Sequence, residues 1–448
     1  MLNRLLPGFL AALLFPIRAL PAQSEHPSTN DIYVIDLPSA LQLAGAQNLD
    51  VQIARQKLAE ARANYESSLW QFFPWISPGV SYRRHDNLIQ DVGGKIIDVH
   101  KESYMVGPSL SGQLDLGDAI YKNLAARQLV KASDYALEGQ RQDALLAAAQ
   151  GYFDLVKARS SAEVAREAVS ISTNYSAQVE QAVGAGIAFK GDLLRVQVQT
   201  ERNLLTLRQA QEQQRVASAR LAETLHLDPA VELAPRNNDV VPLSLFKSNA
   251  SIDSFIGQAI ALRPELKYSR AFVQAAHRAR QGAVYGPLVP SLGAQVFAGG
   301  LGGGQDNAPR AFGESEDYLL TLGWRIGPGG LFDRGRIHAT DSRLQIARLG
   351  EKKLLDEIAR QVVESLTRVQ SLNDQIATAQ RAVRAAQETL DLTQQRKQFG
   401  IGAVLETIQA EEDLTRARLD LLNAIAEQNK AQYSLSKAAG TITDGSGK

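Results

Sequence analysis

The chain has 448 residues, with 48 lysines and arginines against 48 aspartates and glutamates, and it contains no cysteine. With a net charge near zero, the sequence gives no electrostatic reason to expect binding to nucleic acid. The lack of cysteine excludes disulfides, thiolate metal sites and a lipid anchor on an N-terminal cysteine. The six histidines are scattered without the spacing of a metal-binding helix, so we predict no metal centre and no cofactor.

The first residues have the pattern of an export signal. Met1–Arg4 is short and basic, residues 5–17 are mostly apolar, and small residues surround Ala22. We predict a signal peptide over residues 1–22; the alternative is an ordinary apolar N-terminal segment. No later segment approaches the roughly 20 apolar residues that a membrane helix needs, so a membrane-spanning part would have to consist of strands.

Beyond this segment, two halves of the chain, 23–227 and 252–440, repeat the same order of elements, with a linker at 228–251 and a tail at 441–448. Each half is predicted to contain a helix, two strands, a long helix, a glycine turn and a returning helix. In the first half these are expected at 37–70, 77–82, 109–116, 118–183, 184–188 and 192–227. In the second half they are expected at 252–284, 291–298, 318–326, 331–398, 399–403 and 404–439. Both long helices fall in tracts without proline, which disrupts helix interiors.

The second long helix carries a regular apolar seam. Apolar residues recur every three or four positions, for example at Ile358, Val362, Leu366, Val369 and Leu372. This spacing indicates a coiled-coil helix, and a helix of this length would extend roughly 100 Å. A rod of this kind cannot bury a compact core alone, so we expect its seam to need neighbours, most simply copies of the same chain.

The predicted strands alternate between apolar and polar residues. Leu110 and Leu114 share one face and Ser109 the other, while Tyr318, Leu320 and Leu322 form an apolar face opposite Thr321. The segments between paired strands, 87–101 and 299–316, are polar or glycine-rich and are predicted to be loops. Alternation alone fits a membrane strand and a soluble hairpin equally well; the export signal and flanking aromatic residues favour the membrane. Because four strands cannot close and open edges are not tolerated in lipid, three chains supplying twelve strands are expected.

The two glycine turns carry a family resemblance. GIAFKGDLLRVQ at 186–197 and GIGAVLETIQAEE at 400–412 each place an acidic residue, Asp192 or Glu406, six positions after a glycine. Together with LFDRGR at 331–336 and the repeated order of elements, these segments resemble the TolC family of outer membrane efflux channels. The resemblance covers residues from about 36 to 440.

The resemblance implies a mainly α fold with a small β part in the membrane and a two-fold internal repeat. It implies a long α-helical coiled-coil barrel and four strands per chain, which form a twelve-stranded barrel in a homotrimer surrounded by outer membrane lipid. The expected location is the outer membrane, with a long periplasmic part. The implied function is a passive duct of a tripartite efflux or type I secretion system, which works with a periplasmic adaptor (membrane fusion) protein and an inner-membrane transporter.

The resemblance also implies roles for residues at both glycine turns. The adaptor would dock onto six tip residues, Gly184, Gly186, Ile187, Gly400, Ile401 and Gly402. At the periplasmic aperture, where some members carry acidic rings, this chain has Glu406 and Gln409, so one ring of three glutamates is expected. Some members latch the gate with a tyrosine and an arginine; Lys397 and Gly402 stand at those positions, so we expect that latch to be absent or altered.

These residues also have simpler structural interpretations. Glu406 and Asp192 each lie near the start of a helix, where a carboxylate interacts favourably with the helix dipole. The glycines fit a helix-ending turn with positive φ, which is also the tight tip that an adaptor would contact.

Two other classes of protein are alternatives to the duct. A periplasmic coiled-coil adaptor or scaffold is the alternative function, although an adaptor usually has one helical hairpin between β-rich domains and this chain has two. An enzyme is disfavoured because the sequence contains no nucleophile–base pair, phosphate loop or metal-ligand cluster.

Overall fold

The structure is a computed structural model that describes residues 32–73, 75–237, 240–246, 251–305, 311–398 and 404–443. The predicted signal peptide, the second glycine turn and most of the predicted tail lie outside these residues.

The same order of elements occurs in both halves, which confirms the predicted repeat. The first half contains β1 (Tyr33–Ile35), α1 (Leu37–Gln47), α2 (Leu49–Trp70), β2 (Trp75–Gln90), β3 (Ile96–Leu114), α3 (Leu116–Gly184) and α4 (Lys190–Thr224). A short strand, β4 (Leu233–Pro235), follows and pairs in parallel with β1. The second half contains α5 (Ile252–Leu262), α6 (Pro264–Tyr285), β5 (Ser291–Gln305), β6 (Ala311–Gly323), α7 (Arg334–Gln398) and α8 (Val404–Ala438).

The first predicted helix of each half is broken into two, so the prediction of continuous helices at 37–70 and 252–284 was wrong. The breaks fall at Asn48 and Arg263, whose ψ angles of 132° and 125° are extended rather than helical. Asn48 caps α2, because its Oδ1 accepts a hydrogen bond from the backbone N–H of Asp50 at 2.9 Å. Pro264 is the first residue of α6 and disfavours a helical conformation in the residue before it.

The strands are longer than predicted, so the expected loops at 87–101 and 299–316 were wrong in extent. The hairpin between β2 and β3 turns within 91–95, and the glycine run is part of β5. A Cβ built on Gly302 would lie 2.4 Å from the ring of Tyr104, and one on Gly300 would lie 2.2 Å from the ring of Phe312. These two rings stack with centroids 5.9 Å apart. The aromatic side chains therefore cover the glycines, which compensates for the low strand propensity of glycine.

The four long strands form one antiparallel sheet in the order β2-β3-β5-β6. The β3–β5 pair joins the two halves, and β2 and β6 are the edges. The register sets Leu110 opposite Val296 and Val296 opposite Tyr318. The apolar faces predicted separately for β3 and β6 therefore lie on the same face of the sheet.

The long helices form two antiparallel hairpins, α3 with α4 and α7 with α8, which pack together through α3 and α8. The short helices α1, α2 and α6 lie along α3, while α5 and α6 lie along α7. Apolar clusters are distributed along this rod. One surrounds Leu155 of α3, and another surrounds Ile358 and Val362 of α7, all fully buried. The predicted seam of α7 is thus confirmed.

The chain exposes far more surface than a compact protein of its mass. Its accessible surface is 29170 Å², whereas a compact monomer of 48.7 kDa exposes about 16,600 Å². Part of the excess follows from the rod shape, in which a helix such as α7 exposes large apolar side chains, Ile346 and Leu349 among them. No helix in the described part of the chain is both long enough and apolar enough to cross a membrane.

Residues 240–246, between the two halves, lie along α8 as an extended segment held by buried amide side chains. The Leu243 N–H donates to Asn429 Oδ1 at 2.7 Å, and Asn429 Nδ2 donates to the Val241 carbonyl at 2.9 Å. Gln428 Nε2 donates to the Leu243 carbonyl at 2.7 Å. These bonds satisfy backbone groups that no strand pairs, so the segment follows α8.

Candidate functional site

The first glycine turn is a tightly closed helix end. Gly186 has φ +73°, a conformation that glycine adopts at little cost. Its N–H donates to the Val183 carbonyl at 3.0 Å, and the Ile187 N–H donates to the Ala182 carbonyl at 2.8 Å. This pair of bonds is a Schellman motif, which satisfies carbonyls at the end of α3 and reverses the chain into α4.

The turn presents two large apolar side chains to its surroundings. Ile187 is 83% exposed and Phe189 is 74% exposed. Phe189 is the N-cap residue of α4 and makes no side-chain capping bond. An exposed apolar pair at the end of a rigid hairpin is the kind of feature that contacts a partner protein.

The second glycine turn lies between α7 and α8. Its predicted docking residues Gly400, Ile401 and Gly402 lie outside the described residues, as does the side chain of Lys397. The described ends of the hairpin are Gln398 and Val404.

The described ends of the two hairpins beside these turns lie at the same end of the molecule. Val179 of α3 and Val196 of α4 share a buried cluster with Ile408 of α8. Val179 lies seven residues before Gly186, Val196 lies ten residues after it, and Ile408 lies in the second turn of α8, so the cluster joins the two hairpins close to their described ends.

Glu406 lies in the first turn of α8 and forms an ion pair with α7. Its Oε2 lies 3.3 Å from Nη1 of Arg396, and the Glu406 side chain is 44% exposed. Gln409 is exposed one turn further along α8. Sequence reasoning missed Arg396, because the turn geometry that sets it beside Glu406 has no simple sequence signal.

Asp192 has a local role at the start of α4. Its N–H donates to the Phe189 carbonyl at 2.9 Å, and its Oδ1 accepts from Arg195 Nη1 at 3.0 Å. These contacts agree with the interpretation of Asp192 as a helix-start acid.

Charged pairs connect the two hairpins further from the tips. Lys430 of α8 lies 2.8 Å from Asp154 of α3 and 2.5 Å from Glu427. Burial lowers the pKa of Lys430, but its hydrogen bonds to both carboxylates outweigh burial and raise the pKa above the ordinary value. Arg418 pairs with Glu167 at 3.0 Å in the same α3–α8 contact. Sequence reasoning missed these pairs, because their members are far apart in the chain.

A groove with a volume of about 320 Å³ lies between the two hairpins, beside the Arg418–Glu167 pair. Among the described residues, no group of three or more histidine, aspartate or glutamate side chains is arranged to hold a metal ion.

The sheet has one apolar and one polar face. Directly opposite residues share a face, so the register assigns even-numbered strand residues to one face and odd-numbered residues to the other. The even face carries large exposed apolar side chains, including Val80, Val106, Tyr318, Leu320 and Leu322. The odd face carries mostly small or polar side chains, including Ser109, Ser111, Gln113, Gln295 and Thr321.

An aromatic row crosses the even face near the end of its apolar region, and on β6 two glutamates, Glu314 and Glu316, lie on the helical side of this row. Tyr82 is opposite Tyr104, which is opposite Gly302, which in turn is opposite Phe312. Beyond this row the same face becomes charged, beginning with Arg84 and Glu102. At the helical end of the sheet, Trp324 Nε1 donates to the Leu288 carbonyl at 3.2 Å while the ring remains half exposed. Aromatic residues at both ends of an apolar band are typical of strands embedded in a bilayer.

Comparison with known proteins gives a family match and close structural matches. The family model described as outer membrane efflux protein matches residues 40–225 and 255–441. The solvent efflux pump outer membrane protein SrpC of Pseudomonas putida is 23% identical over 420 residues, covering 89% of this chain and 84% of that protein. The cation efflux system protein CusC of Escherichia coli is 24% identical over 412 residues, covering 88% and 84%.

The fold is also found among solved structures. A membrane protein from Pseudomonas aeruginosa matches with a TM-score of 0.76 and 18% identity, covering 94% of this chain and 99% of that chain.

Proposed function

The chain belongs to the outer membrane efflux protein family, and we propose that it is the outer membrane channel of a tripartite efflux or type I secretion system. In this proposal three copies form a passive duct across the outer membrane and periplasm, and the duct catalyses no reaction. Residues 1–22 direct export. The two relatives named above differ in the cargo that their names state, a solvent and a cation. We therefore transfer from these relatives to this chain only the role of a duct, and we assign no cargo from their names.

The observation that carries the proposal is a four-stranded sheet with an apolar face and two open edges, β2 and β6. An open edge leaves backbone N–H and C=O groups without partners, which costs several kcal/mol per group in lipid. Pairing β6 of one copy with β2 of the next removes both edges. Three copies close a cylinder of twelve strands that is wide enough to leave a lumen.

The dimensions of the sheet suit a bilayer. From Tyr104 to Leu114 the apolar part of β3 advances ten residues, or about 33 Å at roughly 3.3 Å per residue. With a tilt of about 40°, this length spans about 25 Å along the membrane normal, the height of the apolar band in membrane strands. The polar odd face then lines the lumen.

The helical rods continue the lumen through the periplasm. A helix of 69 residues such as α3 is about 100 Å long. The trimer would also cover the surface that one rod leaves exposed.

The helix tips are the proposed contact with the other components. Ile187 and Phe189 would contact a periplasmic adaptor, which connects the duct to an inner-membrane transporter. Glu406 of each copy would face the aperture, so that three copies form a ring of glutamates. The ion pair with Arg396 partly neutralises the negative charge of this ring. Replacing Glu406 by glutamine tests this role in a planar bilayer: conductance and cation-to-anion permeability identical to those of the unchanged protein would remove Glu406 from the aperture.

Heat-modified gel migration distinguishes the duct from the alternative periplasmic scaffold. The duct is expected as a detergent-extracted species that becomes monomeric only after boiling. A soluble monomer in the periplasmic extract would refute it.

Thiol labelling tests the assignment of the two sheet faces, and the cysteine-free chain gives no background. Thr321→Cys should react with a charged methanethiosulfonate reagent and reduce single-channel current. The neighbouring Leu320→Cys is the matched control and should react slowly, because its side chain would face lipid. Equal reaction at both positions would contradict the assignment.

A further inference from the structure

Two basic side chains lie on the polar face of the sheet beyond the aromatic row. Arg83 of β2 is directly opposite Ser103, and Lys101 of β3 is directly opposite His85 and Gln305. All of these are odd-numbered positions, so they share the face of Ser109 and Thr321. Arg83 and Lys101 are exposed. This face would line the duct near its extracellular end.

The two faces of the sheet differ in how their charges are balanced. On the even face, Arg84 lies 2.9 Å from Asp86, which also contacts His100 at 3.0 Å. Within the described residues, neither Arg83 nor Lys101 has a side-chain ion pair. The positive charges on the odd face are therefore not neutralised by a described neighbour.

All but one of the acidic residues in the four long strands have the opposite parity. They are Asp86, Asp98, Glu102, Glu314 and Glu316. On the odd face, the nearest acid of the described strands is Asp317, which is opposite Phe297. Across the sheet, Arg83 is level with Ala311 of β6. Asp317 lies six positions further along β6 than Ala311, which is a distance of about 20 Å at roughly 3.3 Å per residue.

We propose that Arg83 and Lys101 form a basic ring inside the extracellular mouth of the duct, which favours anions and therefore anionic cargo. The inference rests on the proposed trimeric duct, in which the ring contains six positive side chains. Twelve strands about 4.8 Å apart and tilted by roughly 40° form a cylinder with a backbone radius of about 12 Å. Extended side chains would leave about 6 Å between these charges and the axis, less than the Debye length of about 8 Å at physiological ionic strength. The field of the ring thus reaches across the lumen.

The negative charge at the other end of the duct does not cancel this preference. Glu406 is paired with Arg396, and its distance from the sheet is many Debye lengths, since α3 alone is about 100 Å long. The two ends therefore act on permeating ions independently.

The test is the reversal potential of the trimer in a planar bilayer under a potassium chloride gradient. The double variant Arg83→Gln and Lys101→Gln should lower the chloride-to-potassium permeability ratio by at least about threefold, because six charges are removed near the axis. Arg84→Gln is the control, since it removes one positive charge per chain from the opposite face, and should leave the ratio unchanged. An unchanged ratio in the double variant, or an equal change in the control, would overturn the proposal.

Two further measurements keep the outcome unambiguous. If the double variant does not form heat-modifiable trimers, each single variant is measured instead and should give a smaller shift in the same direction; no shift in either would overturn the ring. The charge-preserving pair Arg83→Lys and Lys101→Arg should retain the original ratio. Failure of the unchanged protein to conduct at all would instead refute the proposed duct.

Discussion

Alanine substitutions at two glycines of the first tip should have opposite effects on its stability. Gly186 has φ +73°, whereas Gly184 is the last residue of α3. A Cβ built on either glycine meets no other atom within 4 Å. Neither variant therefore gains a steric clash, and the two variants differ only in the backbone conformation at the substituted residue.

The expected magnitudes follow from the two conformations. An L-residue in the left-handed region costs about 1–2 kcal/mol, so Gly186→Ala should destabilise the closed turn by that amount. In a helix, alanine is more favourable than glycine by roughly 0.5–1 kcal/mol, so Gly184→Ala should stabilise the end of α3. The two variants should thus differ by about 1.5–3 kcal/mol, which is roughly a 10- to 150-fold difference in the opening equilibrium.

Hydrogen exchange of the intact trimer measures this local equilibrium. Peptides that cover residues 182–192 should exchange faster in Gly186→Ala and more slowly in Gly184→Ala than in the unchanged protein. Under the proposed function, only Gly186→Ala should weaken binding of the adaptor. Slower exchange in both variants would refute the argument from φ, and faster exchange in both would show that any side chain at the tip disturbs it.

Three further predictions concern pH, the sheet and the linker. Burial raises the pKa of Glu427, but the hydrogen bond and charge of Lys430 outweigh it and hold the pKa below 4.5, so this carboxylate stabilises the fold at neutral pH and loses its contribution as the pH falls below 4.5. Glu427→Gln should therefore lower the thermal midpoint at pH 7, and the difference from the unchanged protein should shrink as the pH of the melt is lowered below 4.5; a difference that does not change with pH would contradict this. Gly107→Ala should reduce the amount of heat-resistant trimer on gels, because the new Cβ would lie 2.5 Å from the Ala298 carbonyl oxygen of β5. Gly313→Ala is the control and should leave the trimer intact, because its Cβ would meet no atom within 4 Å. Equal loss of trimer in both variants would refute the steric argument. Asn429→Ala leaves two backbone groups of the linker, the Leu243 N–H and the Val241 carbonyl, without their hydrogen-bond partners. Because each unsatisfied group costs about 1–3 kcal/mol, proteolysis within 240–246 should be faster. An unchanged rate of cleavage would show that the Asn429 amide does not hold the segment.

The long helices and the α7 seam could be predicted because their signals are local. Ile358, Val362 and Leu366 recur at helical spacing, and all three are buried as that spacing requires. Asn48 and Pro264 also carry local signals, a capping side chain and a fixed φ, and each stands at a break between two helices.

The strand lengths could not be predicted in the same way. A run of glycines favours a loop when its neighbours in sequence are the only information. The rings that cover Gly300 and Gly302 come from Phe312 and Tyr104 on the adjacent strands. Their effect exists only after those strands have paired.

The candidate site was predictable in type and not in its contacts. The glycine turn and the acids after it were recognisable, and Gly186 has the positive φ that the sequence predicted for a helix-ending glycine. The docking and aperture roles of these residues remain predictions. Arg396, which pairs with Glu406, was not anticipated, because a salt bridge across a turn depends on how the two helices are oriented after it.

By itself the sequence determined the periodic features of this protein: two long helices, strands with alternating faces, and a duplicated order of elements. These depend on interactions between residues a few positions apart, which every chain with the same spacing shares. Only the tertiary structure decided that the apolar faces of β3 and β6 coincide, that α3 meets α8 through charged pairs, and that Arg83 and Lys101 share the polar face of the sheet. Those relations join residues distant in the chain, and they arise from strand register and helix packing, which no local pattern specifies.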